Sequence, residues 1–497
     1  MFRKRIFLLF TIIFLLFSSF SSFSQEPQDI SLKKSFSSLL SEFSKSLGKE
    51  IEPAYFEKHL GLLPAGIIYE PQVGDILDLF RKKGIFLHAF KVKPDKNTLT
   101  LLRENGYPFI TYLEKKGYVL VKDISEEKIF LVSGRKEFFL REDEFLELWS
   151  GYIFSLPLVN IMAERVRDDK PKNGRFIIAY SYHKENFDKL KPILDKLQEE
   201  ANLSGRKFIY IDELGLIPRE SIKKIQKIYK ITEKEAFERA RKDLAEEIER
   251  FSRGISTYDE NPFYQAQYSY LARHKILSYM EELDYDNWRR IVRFDDFNLH
   301  NKAVNAFCRG NIKAYLKKLR EYNHGFWIYN VKERDDNFRQ QIKKIAQNNP
   351  SSIIFTLRGI GHYGLEEKLE LEDFSIETYI ITERGFAESL VSDQLAQVMV
   401  SNGVELSKEE ENLLYLRSFP EECLRTYFQK KIEDLTIATS RAKKIVEKLS
   451  QKEIKKLSRD IAYAFAKGKI VRSEDVWEYV YNWFKERNKI SPEINNN

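Results

Sequence analysis

Cysteine is scarce in this chain, whose 497 residues include only Cys308 and Cys423. Two cysteines so far apart lack the close spacing of a zinc finger, so the sequence predicts no zinc site of that kind. An oxidising compartment would permit a disulfide between them, and two buried free thiols are the alternative. No cysteine precedes Cys308, which leaves the N-terminal part of the chain without a thiol nucleophile.

A large excess of one charge is also missing. The chain has 82 Lys and Arg against 75 Asp and Glu, a formal net charge of +7. This excess is small beside the number of charges, so composition gives no support for a nucleic-acid partner. By contrast, hydrophobic residues are plentiful. They make up 43% of the chain, and with 37 Phe and 26 Tyr they can fill several hydrophobic cores. A chain of this length has room for about three domains.

Only one long apolar run is present, and it lies at the N-terminus. Residues 3–5 are basic, residues 6–17 are apolar except for Thr11, and small residues precede Gln25. This order predicts a secretory signal peptide over residues 1–24 and an exported protein, periplasmic or extracellular. An uncleaved segment is the alternative, and it would be the chain's only contact with a membrane, although a bilayer span needs about 20 apolar residues.

The residues that follow predict three regions of different fold class. We expect an α+β domain over residues 35–156, an α/β domain over 157–400 and an all-α region over 401–490. In the middle region, the short apolar runs 176–180, 207–211, 353–357 and 376–381 predict strands of a mainly parallel sheet. Helical patterns between the second and third runs predict a helical cap over about 216–325.

Four short motifs characterise the first of these regions. They are Gly-Tyr-Pro-Phe-Ile at 106–110, Lys-Gly-Tyr-Val-Leu-Val at 116–121, Lys-Ile-Phe-Leu-Val at 128–132 and Phe-Leu-Glu-Leu-Trp-Ser-Gly-Tyr at 145–152. In this order they resemble the papain-like cysteine peptidase domain that trims leader peptides in bacteriocin-exporting transporters. The resemblance implies a papain-like fold in which Tyr118 replaces the general-base histidine and Ser133 stands at the aspartate position. Without thiol and imidazole such a domain should bind a peptide or protein partner without cutting it.

The best candidate for chemistry is the glycine-rich turn that follows the strand at 353–357. Gly359, Gly361 and His362 lie in it, immediately before a predicted helix. Glycines at the carboxyl end of such a strand allow the backbone to approach a ligand, so we expect Gly359 and Gly361 to bind one. A histidine on this turn is suited to proton transfer or metal ligation.

The turn also resembles the late Gly-x-x-His motif of a superfamily that includes erythromycin esterases, TraB-type proteins and the haem-uptake ChaN-type proteins. The resemblance implies further site residues at Arg334, at Glu213 or the neighbouring Asp212, and at His183. The first motif of that superfamily is altered here, because Tyr180 and Ser181 replace its glycine and glutamate.

Together these residues imply a hydrolase in which His183, Glu213 and His362 activate water. They could act as a base relay or around a divalent metal ion, and no other cofactor is expected. The sequence therefore favours an exported, non-cleaving peptide-binding protein, with an esterase-like hydrolase as the alternative.

Overall fold

The structure is a computed structural model with a mixed α+β fold. It describes residues 25–60, 73–114, 116–133, 136–166, 172–181, 187–213, 219–252, 262–281, 284–294, 298–382, 384–431 and 434–487. The chain divides into two compact units. Unit 1 comprises Met1–Lys172, Ser375–Ile380 and Met399–Leu406, and unit 2 comprises Asn173–Phe374, Ile381–Val398 and Ser407–Asn497. The predicted boundaries at 156 and 400 remain predictions.

Unit 1 is built on antiparallel strands in the order β12-β7-β1-β6-β2-β3-β4-β5. Its helices are α1 (Gln25–Ser46), α2 (Pro53–His59), α3 (Val73–Arg81), α4 (Lys96–Asn105) and α5 (Glu142–Leu148). Its strands are β1 (His88–Lys91), β2 (Phe109–Leu113), β3 (Gly117–Ile124), β4 (Lys128–Ser133), β5 (Lys136–Arg141), β6 (Trp149–Ser155), β7 (Ala163–Arg165) and β12 (Phe374–Ile380).

The two faces of this sheet bury different cores, because successive strand residues point to opposite sides. Val119 and Val121 of β3 pack with Phe145 of α5. Leu120, between them, packs on the opposite face with Phe43 of α1. Helices therefore cover both faces of the unit 1 sheet.

Unit 2 contains a parallel sheet in the order β10-β9-β11-β8. Its strands are β8 (Gly174–Ser181), β9 (Phe208–Asp212), β10 (Leu277–Met280) and β11 (Ile353–Gly359). Residues 353–358 and 175–181 are almost all buried, as expected for parallel strands covered on both faces.

The helices of unit 2 precede, separate and follow these strands. They are α6 (Phe187–Ser204), α7 (Arg219–Tyr229), α8 (Glu233–Ser252), α9 (Pro262–Arg273), α10 (Tyr285–Phe294), α11 (Asn298–Cys308), α12 (Ile312–Phe326), α13 (Arg334–Asn348), α14 (Phe386–Ser389), α15 (Ser392–Ser401), α16 (Lys408–Gln429), α17 (Leu435–Val446), α18 (Gln451–Ala466) and α19 (Ser473–Lys485). A π-helical segment, Trp327–Glu333, joins α12 to α13 without a break. Cys308 and Cys423 are both free and buried.

One predicted element differs from the structure. The cap predicted to be helical over 216–325 contains a strand, β10, because Lys275 adopts a left-handed conformation (φ 54°) and ends the preceding helical turn. The run at 376–381 forms a strand as predicted, β12, which pairs antiparallel with β7. Its alternation of buried and half-buried residues is typical of an antiparallel strand, whereas β8 is buried on both faces.

Candidate active site

The carboxyl ends of the parallel strands in unit 2 carry the polar residues of the candidate site. Glu213 directly follows β9, Glu281 directly follows β10, and Arg358 and Gly359 end β11. Parallel strands present their carboxyl ends at one edge of a sheet, which is where open α/β sheets bind ligands. The strand order therefore brings together residues that are distant in sequence.

Arg358 and Glu281 form the buried base of this cluster. Arg358 donates from Nη1 to Glu281 Oε2 at 2.7 Å, and Arg334 donates from Nη2 to the same oxygen at 2.7 Å. The Arg358 guanidinium also lies 4.3 Å from the centre of the Phe338 ring. Burial alone would raise the pKa of Glu281, but the two guanidinium groups outweigh it and lower that pKa. The base of the site is therefore ionic.

His362 lies above this base, at the end of a short 3-10 turn, Ile360–His362. Its Nδ1 is 2.7 Å from Asp335 Oδ1, and its Nε2 is 3.4 Å from Glu213 Oε1. Burial and the Arg358 guanidinium, whose Nη2 is 3.4 Å from Nδ1, oppose the charged ring, but Asp335 and Glu213 outweigh them and raise the pKa of His362 above its ordinary value. Both ring nitrogens thus face carboxylate oxygens.

Glu213 connects the turn to the rest of the cluster. Its Oε2 accepts a hydrogen bond from the Gly359 backbone N–H at 2.8 Å, and its Oε1 accepts one from Arg334 at 3.3 Å. The predicted ligand-binding Gly359 therefore already uses its N–H within the protein. A Cβ at Gly361 would meet no atom within 4 Å, so open space lies beside the backbone there.

Accessibility separates the cluster into two layers. Glu281 and Arg358 have side-chain exposures of only 1% and 0%. Four side chains keep exposures of 7–11%: Arg334, His362, Asp335 and Glu213. The first pair can act on a ligand only through its neighbours, whereas the second layer keeps a small exposed fraction.

Three of the four predicted catalytic residues, Glu213, Arg334 and His362, lie together in this cluster. The fourth, His183, falls within residues 182–186 and lies outside the described residues. The catalytic role of all four remains a prediction.

Sequence reasoning missed Glu281, Asp335 and Arg358. Glu281 could not be recognised because the segment before it was predicted to be helical, whereas the structure has the strand β10 there. Arg358 carried a usable signal, since it directly follows the predicted strand at 353–357 and precedes the glycines of the turn. Asp335 is adjacent to Arg334 and was not distinguished from Asp336, its neighbour in sequence.

The two positions singled out in unit 1 are structural in character. The Tyr118 ring is half-buried on β3, with its centre 5.4 Å from the ring centres of Phe36 and Tyr112. Ser133 ends β4 opposite Lys136 of β5. Tyr118 therefore contributes to aromatic packing between α1 and the sheet.

Within the described part of the chain, no group of three or more His, Cys, Asp and Glu side chains is arranged to hold a metal ion. In the candidate site, the two guanidinium groups supply the positive charge that the carboxylates face. Among the described helices, none combines the length and apolar character needed to cross a bilayer.

Comparison with known proteins gives a limited result. No family model and no curated protein sequence matches the chain. Among solved structures, one match is a double glycine motif protease from an AMS/PCAT transporter, in complex with the leader peptide. The identity is 16%, the match covers 25% of this chain and 86% of that one, and the TM-score is 0.21. It is a distant peptidase-like resemblance, and at this TM-score it carries no conclusion about function.

Proposed function

We propose that unit 2 is a hydrolase in which His362 activates water for attack on an ester-like carbonyl carbon. One observation carries this proposal: the His362 ring lies between Asp335 at Nδ1 and Glu213 at Nε2, at the slightly open carboxyl edge of a parallel sheet. A histidine whose second nitrogen is held by a carboxylate is the arrangement of the base in serine-hydrolase-type triads.

The hydrogen-bond pattern indicates where water would bind. When His362 is neutral and its Nδ1–H donates to Asp335, the lone pair of Nε2 faces the Glu213 carboxylate at 3.4 Å. Two acceptors facing each other need a proton between them, either on Nε2 or from a water molecule that donates to one or both. Such a water would lie against the base that removes its proton.

The reaction then balances within the site. The water oxygen forms a bond to the carbonyl carbon while its proton passes to Nε2, and the resulting imidazolium is stabilised by Asp335 and Glu213. Collapse of the tetrahedral intermediate breaks the bond to the leaving oxygen, which takes the proton from Nε2. We assign Arg334, which is paired with Glu213 and Glu281, as the cation whose charge stabilises the developing oxyanion.

The test compares the wild-type protein with His362→Gln on p-nitrophenyl acetate. We expect the variant to lose about 10²-fold or more of its turnover, while its melting temperature changes little. His274→Ala is the matched control, because His274 is exposed and stacks on Tyr270 away from the cluster. Unaltered hydrolysis by His362→Gln would contradict the proposal.

A second function is favoured by an observation in unit 1. Phe130 of β4 and Phe139 of β5 are cross-strand neighbours, 44% and 55% exposed, on the terminal hairpin of the sheet. The Lys128 amine lies 4.7 Å from the Phe139 ring centre, and Lys136 adds a positive charge to β5. We propose that this edge binds an acidic, extended peptide of a partner protein by strand addition.

A labelled peptide that alternates Glu with Ile provides the probe for this second function. We expect the double change Phe130→Ser and Phe139→Ser to weaken its binding at least tenfold, as measured by fluorescence anisotropy. Tyr463→Ser, which removes a 62% exposed aromatic ring from unit 2, is the control and should leave binding intact. Equal binding by both variants would exclude this edge.

A further inference from the structure

One residue, Tyr180, lies beside the chain on both sides of His362. Before His362, Arg358 of β11 is the register partner of Tyr180 on β8, so the two side chains lie on the same face of the sheet. After His362, the Tyr180 hydroxyl donates a hydrogen bond to Oε2 of Glu366, which lies in a second 3-10 turn, Leu365–Lys368. The chain segment that carries His362 therefore leaves β11 beside Tyr180 and returns to the same residue.

The local sequence explains how the chain returns. Gly364 separates the two 3-10 turns with a φ of 97°, a left-handed conformation that favours glycine. The ring of Tyr363, directly after His362, has its centre 5.2 Å from that of Tyr180 and 4.6 Å from that of Phe386. Aromatic packing thus holds the reversal against β8.

The hydrogen bond between Tyr180 and Glu366 is fully enclosed, because both side chains are 0% exposed. Burial, the charge of Glu366 and, more weakly, the charge of Asp335 raise the pKa of Tyr180, so its hydroxyl keeps its proton and remains a donor. A hydrogen bond to a carboxylate is stronger than one between neutral groups, and its loss in the interior leaves desolvation uncompensated. A strong, directional contact therefore fixes the far end of the turn.

The surroundings of the His362 imidazole depend on where this turn lies. Asp335 of α13 contacts Nδ1 at 2.7 Å, and Glu213, after β9, lies 3.4 Å from Nε2. Arg358 of β11 lies 3.4 Å from Nδ1. These three charged groups come from three different elements, so a shift of the turn changes all three distances.

We propose that Tyr180 is a positioning residue for His362. Through its hydrogen bond to Glu366, it holds the turn where the imidazole meets Asp335 and Glu213 at the same time. This inference rests on the proposed hydrolase and adds the residue that aligns its base.

The test uses Tyr180→Phe, which keeps the ring and removes only the hydroxyl. We expect the pKa of His362, measured from its imidazole resonances by NMR, to fall towards the ordinary value of 6.5, because the carboxylates then hold the ring less closely. In hydrolysis of p-nitrophenyl acetate, kcat should fall about tenfold, the order expected for one lost hydrogen bond, while KM changes little.

Tyr315→Phe is the matched control, since Tyr315 is 2% exposed and its hydroxyl donates to the Tyr415 carbonyl oxygen at 2.8 Å. Each variant loses one buried hydrogen bond, so both should melt at lower temperature than the wild type. Only Tyr180→Phe should change the pKa of His362 and kcat. The proposal is overturned if the pKa of His362 is unchanged in Tyr180→Phe, or if Tyr315→Phe shifts it equally.

Glu366→Gln separates the contact from the charge. Glutamine keeps an acceptor oxygen for the Tyr180 hydroxyl, so this variant should keep the pKa of His362 close to the wild-type value. A shift as large as that in Tyr180→Phe would show that Glu366 acts on His362 through its charge, and it would overturn the positioning role.

Two further results keep the test decisive. If Tyr180→Phe does not fold, Glu366→Leu takes its place, and an unchanged pKa of His362 in that variant overturns the proposal. Absence of His362-dependent hydrolysis in the wild type counts against the hydrolase alone, because the NMR titration measures the placement of His362 without turnover.

Discussion

At the residue scale, the fully buried charge of Arg358 organises the site. Its guanidinium contacts Glu281 at 2.7 Å and Asp335 at 3.2 Å, and Asp335 in turn holds His362. Transfer of these charges out of water is costly, and only their mutual pairing makes it tolerable. Arg358 therefore acts as a positioning residue for the carboxylate that orients the imidazole.

Replacement of Arg358 by Met should be strongly destabilising. The change leaves buried Glu281 and Asp335 with one cation fewer, and breaking such a pair lowers the free energy of unfolding by about 3–5 kcal/mol. Lys223→Met, which breaks an exposed pair with Glu220, should change it far less, because exposed ion pairs contribute little to stability. Urea unfolding measures both values, and similar losses would contradict the assigned role.

Asp335→Asn should change the pH dependence of hydrolysis. The neutral form of His362 is the base, so the rate rises with pH through the pKa of His362, which lies above its ordinary value of 6.5. Removal of the Asp335 charge lowers that pKa and moves the rising limb of the kcat profile to lower pH. A rising limb that stays in place, or moves to higher pH, would refute this role of Asp335.

The sequence identified part of this site for reasons that can be stated. Glu213 and His362 follow runs that read as strands, so their shared edge could be predicted. Asp335 and Asp336 read alike, and only the rotation of the helix decides that the first is buried while the second remains 46% exposed. Glu281 required knowledge of β10, a strand of four residues whose sequence continues a helical pattern.

At the scale of elements, the π segment sets the direction in which α13 presents its first residues. Residues 312–348 run as one helix, with α geometry on both sides of Trp327–Glu333. A π segment contains more residues per turn than an α-helix, so it changes the rotation of everything after it relative to α12. Such segments occur frequently at functional sites.

Deletion of Lys332 should therefore inactivate the protein although Lys332 itself is exposed. Removing one residue rotates the first turn of α13 by about 100° relative to α12, which separates Arg334 and Asp335 from their partners. We expect loss of His362-dependent turnover and a free energy of unfolding lower by about 3–5 kcal/mol.

The control for this deletion is Lys332→Ala, which keeps the residue count and should change stability by no more than about 0.5 kcal/mol. Circular dichroism and urea unfolding compare the two variants. Full activity in the deletion variant would show that the π segment does not position the site.

At the scale of the whole molecule, some features of the fold could be read from the sequence and others could not. The strands β8, β9 and β11 follow from continuous apolar runs. The run at 376–381 was also predicted as a strand, but its antiparallel pairing with β7 could not be predicted, because a strand that is half-buried on one face satisfies its pattern beside more than one neighbour. The division into two units also depends on segments that are distant in sequence, 375–380 and 399–406, which belong with the N-terminal part.

Export is a proposal for the whole chain, and it rests on the predicted signal segment at residues 1–24. Expression of the full-length protein in a bacterium with a periplasm should give a soluble periplasmic species. Its intact mass should be that of a chain whose first residue is Gln25. Loss of Arg3, Lys4 and Arg5 also lowers the formal net charge from +7 to +4. A protein that keeps its full mass in the cytoplasmic fraction would contradict export.

The two thiols provide a built-in reporter of how often the helices of unit 2 separate. Burial raises the pKa of Cys308 to about 11 and also raises the pKa of Cys423, so neither forms a thiolate readily in the closed protein. An alkylating reagent can react with Cys308 or Cys423 only when α11 or α16, respectively, separates from the helices packed against it. The time course of modification at each sulfur therefore records the opening frequency of its helix, without any introduced probe.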